Sequence, residues 1–419
     1  MGCWHWSDGS RASRRAAPRT MPTMTTYPPV PEVWKPAADL VAQVYALEPL
    51  RADIDARFAA GLDNVAAVDV MAEAGLLGLT LPRRYGGQGR DYTALAAVCE
   101  ALGSIDTAHQ IALTVHLGLV AMAILQWGSD EQRTHWLPLL ARGEVLATFG
   151  LTEPGAGSDV GALRASARRV AGGYLLNGEK TWISGANHAG LFIIFATIDP
   201  TLRHRGITAF LVPRSAEGLS TSVLHGKFGV RAGDTGSVIC SDVFVPDTQV
   251  LGEVGEGFAL ALAALGNGLF TVGAGALGIA AETRRIAAAF MRSCGDDGRG
   301  WAGGLLARMV VREEAARLLL ARAAALKDAG RPNTVETGRA KWQCAEAGLA
   351  NAVAALDIWQ ARYAVEHPAL LRHWANAKGA VIYGGTSEIH QTMQAAYALG
   401  DRVERLPRRP APSAADLAE

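Results

Sequence analysis

The sequence predicts an α+β protein with an N-terminal α-helical domain, a middle antiparallel β-domain and a C-terminal four-helix bundle. Three observations predict it. Apolar residues recur three and four apart before residue 149 and again after residue 250, the period of helices that bury one face. Between them the period falls to two, in the short β-rich runs LFIIFATI (191–198), ITAFLVP (207–213) and VICSDVFVP (238–246). Turn signals at Asp199-Pro200 and Glu217-Gly218 separate those runs.

The division expected is a disordered leader over 1–35, a helical domain over 36–148, a β-domain over 149–247, a bundle over 248–402 and a loose tail over 403–419. The leader carries Arg11, Arg14, Arg15 and Arg19 against only Asp8 and Glu32, with no apolar core of the kind a secretory signal needs. In the first domain, VAQVYALEPL (41–50) and VAAVDVMAEAGLLGL (65–79) have the helical spacing, and Gly75 and Gly78 stop the second helix. LPRRYGGQG (81–89) then reads as an extended loop. The bundle helices are expected over 257–290, 303–328, 335–363 and 379–399, and the tail is read as loose from Pro407, Pro410 and Pro412. Residues 257–281 carry no charge and are long enough to span a bilayer, but glycines and Asn267 make a buried bundle helix the better reading.

With 419 residues the chain can bury several packed layers, and its 40 basic and 40 acidic residues cancel, which argues against nucleic acid as the main partner. Cys3, Cys99, Cys240, Cys294 and Cys344 are odd in number and lack metal-ligand spacing, so no metal site is expected and a reducing, cytoplasmic compartment is.

Residues 148–186 concentrate the chemistry. LTEPGAGSD (151–159) is a turn-rich run whose glycines and Pro154 let amide groups face an anion or a planar ring edge. Residues 174–183 read as two strands joined by Asn177-Gly178, a hairpin presenting Trp182 and Ser184. The residues alone are equally compatible with a tight loop and an ordinary hairpin.

LTEPGAGSD followed after a short spacer by GYLLNGEKTWISGA (173–186) resembles the flavin-contacting signature of the acyl-CoA dehydrogenase family. The loop at 81–89, GSDEQRTHWLPLLARGE (128–144) and AKGAVIYGGTSEIH (377–390) resemble the family at corresponding places, so the likeness covers roughly residues 40–400. It implies FAD as cofactor. Phe149, Leu151 and Thr152 would line the pyrimidine edge, Gly157 and Ser158 would lie near the pyrophosphate, Trp182 would cover one ring face and Ser184 would bond near N5. Thr386 and Glu388 match positions that contact flavin or its nucleotide. Ser158, Gly268, Leu269, Tyr383, Gly384 and Gly385 fall where the family binds its acyl thioester.

The chain departs from the family where the catalytic base belongs. The glutamate that commonly follows the closing motif's tyrosine is Gly384, and the alternative position on the long helix is Gly268, with Leu269 in place of the arginine that follows it. Tyr383, Glu388 and His390 are the nearby candidates. The arginine before the family's Phe-Gly pair falls near Cys294, with Arg292 out of step, and the glycine-rich dinucleotide motif becomes DIWQARY (357–363). The resemblance implies an FAD-dependent oxidoreductase acting on an acyl thioester of CoA or acyl carrier protein with a non-standard base. Its electron acceptor would be a flavoprotein or oxygen, and the assembly a homodimer or homotetramer. The alternatives are a flavin monooxygenase on the same fold and a silent subunit completing a partner's flavin site.

Overall fold

The computed structural model describes residues 30–296, 298–404 and 409–419, so the disorder expected over 1–29 lies outside the described residues. The end of the expected leader is ordered: Trp34 is buried in a turn over Glu32–Ala37, and its indole donates to Glu100 Oε2 at 2.6 Å.

The first unit is helical: α1 (Ala38–Ala46), α2 (Ile54–Ala60), α3 (Val65–Glu73), α4 (Tyr92–Ile105), α5 (Thr107–Leu113), α6 (Met122–Trp127) and α7 (Asp130–Ala141). Local chemistry sets the ends. The Asp91 carboxylate accepts from the Ala94 amide to start α4, Asp106 does the same for α5 from Ala108, and Ser129 with Gln132 forms a reciprocal capping box on α7. Between α5 and α6, Thr114–Ala121 widens into a π-helix, a form that occurs mostly near functional sites.

Eight strands follow: β1 (Ala147–Gly150), β2 (Ser166–Val170), β3 (Gly173–Ser184), β4 (Leu191–Thr197), β5 (Ile207–Pro213), β6 (Leu219–Val223), β7 (Thr235–Pro246) and β8 (Val250–Leu251). Their order is β6-β7-β3-β2-β4-β5-β8. Pairing is antiparallel along this path except at a single β2–β4 step, and β1 lies parallel on β4. All of β4 is buried, which explains its continuous apolar run.

The expected hairpin at Asn177-Gly178 is absent. β3 runs straight through these residues, and its register against β7 shifts there by a bulge. Asn177 is held across the sheet instead, its Nδ2 donating to Asp242 Oδ1 at 2.8 Å and its Oδ1 accepting from the Asp242 amide at 2.9 Å. Gly178 is needed because a Cβ would sit 2.7 Å from that of Ala165. The β2–β3 turn is at Gly172 (φ 76).

The C-terminal unit holds α8 (Gly257–Ser293), α9 (Trp301–Asp328), α10 (Thr334–Gln360), α11 (Pro368–Ala380) and α12 (Ser387–Ala398). The helix expected over 379–399 is thus two helices, the first starting at Pro368 under a His367 cap and the second at Ser387, so the bundle has five helices rather than four. Gly384 (φ 64) and Gly385 (φ 87) break the chain between them. The uncharged stretch of α8 is a packing surface: a Cβ on Gly273 would lie 3.1 Å from Lys341 Cα of α10. Residues 107–127 and α8 are long and apolar enough to cross a membrane, but both are largely buried inside the fold.

The tail also differs from expectation. Tyr92 Oη donates to Pro412 O at 3.1 Å, and Gln126 Nε2 donates to Arg409 O at 2.7 Å. A short helix α13 (Ala414–Ala418) buries Leu417. These apolar and main-chain partners outweigh the proline signal; residues 405–408 are outside the description.

Candidate active site

The flavin-loop residues lie on the β-domain, around β1 and the end of β3. Phe149 and Leu151 are buried, Phe149 with its ring 4.8 Å from that of Phe195. Thr152 O accepts from the Thr181 amide at 2.9 Å, and Thr148 Oγ1 donates to Ser184 O at 2.6 Å, so β1 and the start of the loop are bonded to the end of β3. Gly157 and Ser158 are exposed, and a Cβ added at Gly155 or Gly157 would meet nothing within 4 Å. Open space therefore lies over the loop.

What holds this loop is a pair that the sequence reading missed. Lys180 and Glu153 are both buried, with Nζ 2.7 Å from Glu153 Oε1 and 3.2 Å from Leu151 O. Glu153 also accepts from the Arg164 amide at 2.6 Å and the Ala165 amide at 2.9 Å. Burial lowers the Lys180 pKa and the neighbouring Glu153 opposes the shift. Three donors thus reach the carboxylate, two on Oε1 and one on Oε2, the kind of pairing a buried charge requires.

Trp182 carries the other signal. It sits at φ 59 in a second bulge of β3 and is 61 % exposed. A bulky residue in left-handed backbone is strained by about 1–2 kcal/mol, and the strain serves to stand a flat indole clear of the sheet. Half-buried Ser184 lines a small cleft between the N-terminal unit and the β-domain, together with His109, His116 and Val230. His116 is fixed as a neutral ring. Its Nε2 meets Leu140 O at 2.9 Å, its Nδ1 accepts from the Ala147 amide at 3.2 Å, and burial lowers its pKa to about 4. The 227–235 loop ties the β-domain to α11: the Val230 amide donates to Asn376 Oδ1 at 2.7 Å, and Lys227 Nζ is held by Val230 O at 2.9 Å and Thr235 Oγ1 at 2.8 Å.

Of the positions expected on the acyl side, Gly268, Leu269, Tyr383, Gly384 and Gly385 lie on the helical unit, whereas Ser158 lies on the β-domain loop. A Cβ on Gly384 would lie 3.7 Å from Leu269 Cδ2 and Val272 Cγ2, so the 381–386 loop faces α8 where the sequence places Gly268 and Leu269. At Gly268 a Cβ would fall 2.6 Å from Leu119 Cδ2 of the π-helical segment, the tip of a half-buried side chain that must shift to admit it. The two positions where the resemblance expects a base differ: one needs a leucine tip to move, and the other is open but requires left-handed backbone. Tyr383 is half-buried, and burial raises its hydroxyl pKa.

Two further candidates have local work. Thr386 caps α12, accepting from the Ile389 amide at 3.3 Å. Glu388 is exposed in the first turn of α12, where its own amide and then the Thr386 hydroxyl lower its pKa. At the far end of the bundle, Phe290, Trp359 and Tyr363 stack with ring centroids 4.7–5.4 Å apart, and Arg362 pairs with Asp296 at 3.1 Å. These replacements fill their own space with aromatic packing.

An exposed indole on β3 and an open loop of glycines, anchored by a buried ion pair, thus share the β-domain of an α-β-α chain. Family models for the N-terminal, middle and C-terminal domains of acyl-CoA dehydrogenase match residues 33–144, 148–243 and 255–399. The chain belongs to the acyl-CoA dehydrogenase family, and so to the FAD-dependent oxidoreductases acting on CH–CH donors. It is 33% identical over 354 residues to a short-chain-specific acyl-CoA dehydrogenase of Clostridium acetobutylicum, covering 82% of this chain and 92% of that one. Among solved structures, the prolyl acyl carrier protein oxidase AnaB aligns at TM-score 0.81 and 28% identity over 87% of this chain and 99% of its own. A glutaryl-CoA dehydrogenase of Mycobacterium smegmatis in complex with FADH2 aligns at TM-score 0.80 and 27% identity, over 90% and 96%.

Proposed function

We propose that this chain oxidises the α,β-bond of an acyl thioester, carried on CoA or on an acyl carrier protein, with a base other than the family's glutamate. One observation supports the reading: the 151–159 loop is anchored by the buried Lys180–Glu153 pair, while in the 381–386 loop Gly384 faces only Leu269 and Val272 within 4 Å. FAD, when bound, supplies the acceptor for the β-hydride. Phe149, Leu151, Thr152, Trp182 and Ser184 would hold its ring, while Gly157 and Ser158 would take the pyrophosphate side. Leu269, Val272 and Leu119 would keep water from the α-carbon, and Tyr383, Gly384 and Gly385 would border the thioester. The electron acceptor is a flavoprotein or oxygen, the compartment is the cytoplasm, and the assembly is a homodimer or homotetramer.

A single observation favours a second reading, monooxygenation by reduced flavin and oxygen. The apolar lining at Gly268, Leu269 and Gly384 contains no carboxylate, and that chemistry does not need one. Anaerobic titration of the FAD-loaded protein with acyl thioesters separates the two. Bleaching of the visible flavin band without oxygen supports dehydrogenation, whereas substrate conversion only when reduced flavin meets oxygen supports the alternative. A folded chain that takes flavin only with a second protein would defeat both and leave the silent-subunit reading.

A further inference from the structure

Among the described residues, five that are not glycine have left-handed backbone: Asp53, Trp182, Arg203, Val230 and Asp242. Aspartate tolerates that region, Trp182 is taken up by the flavin reading, and Arg203 lies exposed in a surface turn. Val230 alone is β-branched, and at φ 53 it is a genuine outlier. Strain of this kind persists only where the surroundings enforce it, and it gathers at functional sites.

The surroundings here are specific. The Val230 amide donates to Asn376 Oδ1 of α11 at 2.7 Å, and its carbonyl accepts from Lys227 Nζ at 2.9 Å and from the Gly233 amide at 3.1 Å. Asn376 is fully buried, and its Nδ2 donates at 3.2 Å to Asp106 Oδ2, an oxygen that also accepts from Arg372 Nη1 at 2.8 Å. One residue earlier, a Cβ on Gly229 would run into the Ala375 carbonyl, so the main chain lies directly on α11.

The side chain held in this way stands between the two sides of the site. Val230 lines the cleft that Ser184 lines, and its Cγ1 is 3.2 Å from where a Cβ on Gly233 would be. Its Cγ2 is 3.8 Å from the equivalent point on Gly379 of α11, and that same point is 3.0 Å from Tyr383 Cε1. The isopropyl group and the Tyr383 ring therefore meet over one glycine, immediately before the Gly384 step.

We propose that Val230 is a positioning residue, a spacer whose strained backbone sets the distance between a flavin ring at Ser184 and a thioester at Tyr383-Gly384. The inference rests on the thioester reading above. Reacting groups must be held to within about 0.5 Å, and misplacement by about 1 Å can cost 10²-fold in rate. A spacer explains why a branched side chain is kept where glycine would fit without strain.

The test compares Val230→Gly, which relaxes the backbone and removes the spacer, with Val230→Ile, which keeps both. Melting temperature, FAD affinity by fluorescence titration, and anaerobic reduction of the FAD-loaded protein by butyryl thioesters of CoA and acyl carrier protein are measured on the full chain. Val230 is half-buried, so its truncation loses little packing, and Val230→Gly should melt at or above the wild-type temperature. It should nevertheless bind FAD about tenfold more weakly and be reduced about 100-fold more slowly, while Val230→Ile stays near wild type throughout. Val230→Gly equal to wild type in affinity and reduction, or a fall in melting temperature that accompanies the other losses, would overturn the proposal and leave the thioester reading standing. A wild type whose flavin neither thioester perturbs would sink both.

Discussion

The strand side and the helix side of this site are built by opposite means. On the β-domain, a buried charge pair, Lys180 and Glu153, locks the loop that carries Thr152 and Ser158. On the helical unit the corresponding ground is apolar: the tip of Leu119 lies against Gly268, and Leu269 and Val272 face Gly384. A flavin ring needs fixed dipoles at its edge, and a preorganised ion pair supplies a rigid frame for them. An acyl chain needs dry walls, and here the walls extend over the places where relatives of the resemblance keep a carboxylate. Cofactor side and acid–base side can therefore diverge independently within one fold.

The largest expected effect breaks the strand side. Lys180→Met leaves Glu153 charged and buried without its cation, a change worth about 3–5 kcal/mol, and chemical denaturation should show the loss together with failure to retain FAD. Glu153→Gln should behave alike; full stability in either variant would mean that the pair does not hold the loop.

The next effect sharpens the contrast between the two vacant base positions. Gly384→Glu has room, with its nearest neighbours at 3.7 Å, but must adopt φ 64, costing about 1–2 kcal/mol of stability. With a carboxylate there, flavin reduction by butyryl-CoA should rise by about 10²- to 10⁴-fold if the base alone limits it. Gly268→Glu should give a smaller gain, because its side chain must first displace the tip of Leu119, 2.6 Å from the Cβ, and overpacking costs about 1–3 kcal/mol. Equal activation by both would refute the distinction.

A third expectation concerns pH. His116 and His390 both have pKa values lowered from 6.5 to about 4, so the folded protein binds fewer protons than the unfolded chain between these values. Stability is then complete above pH 6.5 and falls as the pH drops towards 4, by roughly 3 kcal/mol for each histidine. Denaturation across this window should flatten in His116→Gln, and an unchanged slope would show that His116 titrates normally.

The smallest effect on stability is at Trp182. Replacing it with glycine removes a left-handed tryptophan at φ 59 but adds backbone freedom, leaving stability within about 1 kcal/mol. FAD affinity should nevertheless fall, which fluorescence titration would detect; unchanged affinity would remove the indole from the flavin site.

Much of this was legible in sequence where the signal is local. The strands at 191–197 and 207–213 follow from composition and spacing. The failures come from long-range partners. Asn177-Gly178 looks like a turn until Asp242, far along the chain, takes both ends of the amide. The last helix looks continuous because nothing local reveals that Gly384 and Gly385 need positive φ. The tail looks loose until Tyr92 and Gln126 supply its partners. In the site, the vacancy at Gly384 could be read directly, whereas the contact of Leu119 with Gly268 depends on a π-helical segment that no periodicity announced.

The central claim is that an intact flavin platform works here beside a base site without a carboxylate. Anaerobic titration of the FAD-loaded wild type with butyryl-, octanoyl- and isovaleryl-CoA and their acyl-carrier-protein counterparts, alongside Gly384→Glu, tests it most directly. The account predicts that at least one thioester perturbs and slowly bleaches the visible flavin band of the wild type, and that Gly384→Glu bleaches faster with the same thioester. A folded preparation that takes up no flavin from excess FAD, or a wild type that bleaches as fast as Gly384→Glu, would contradict it.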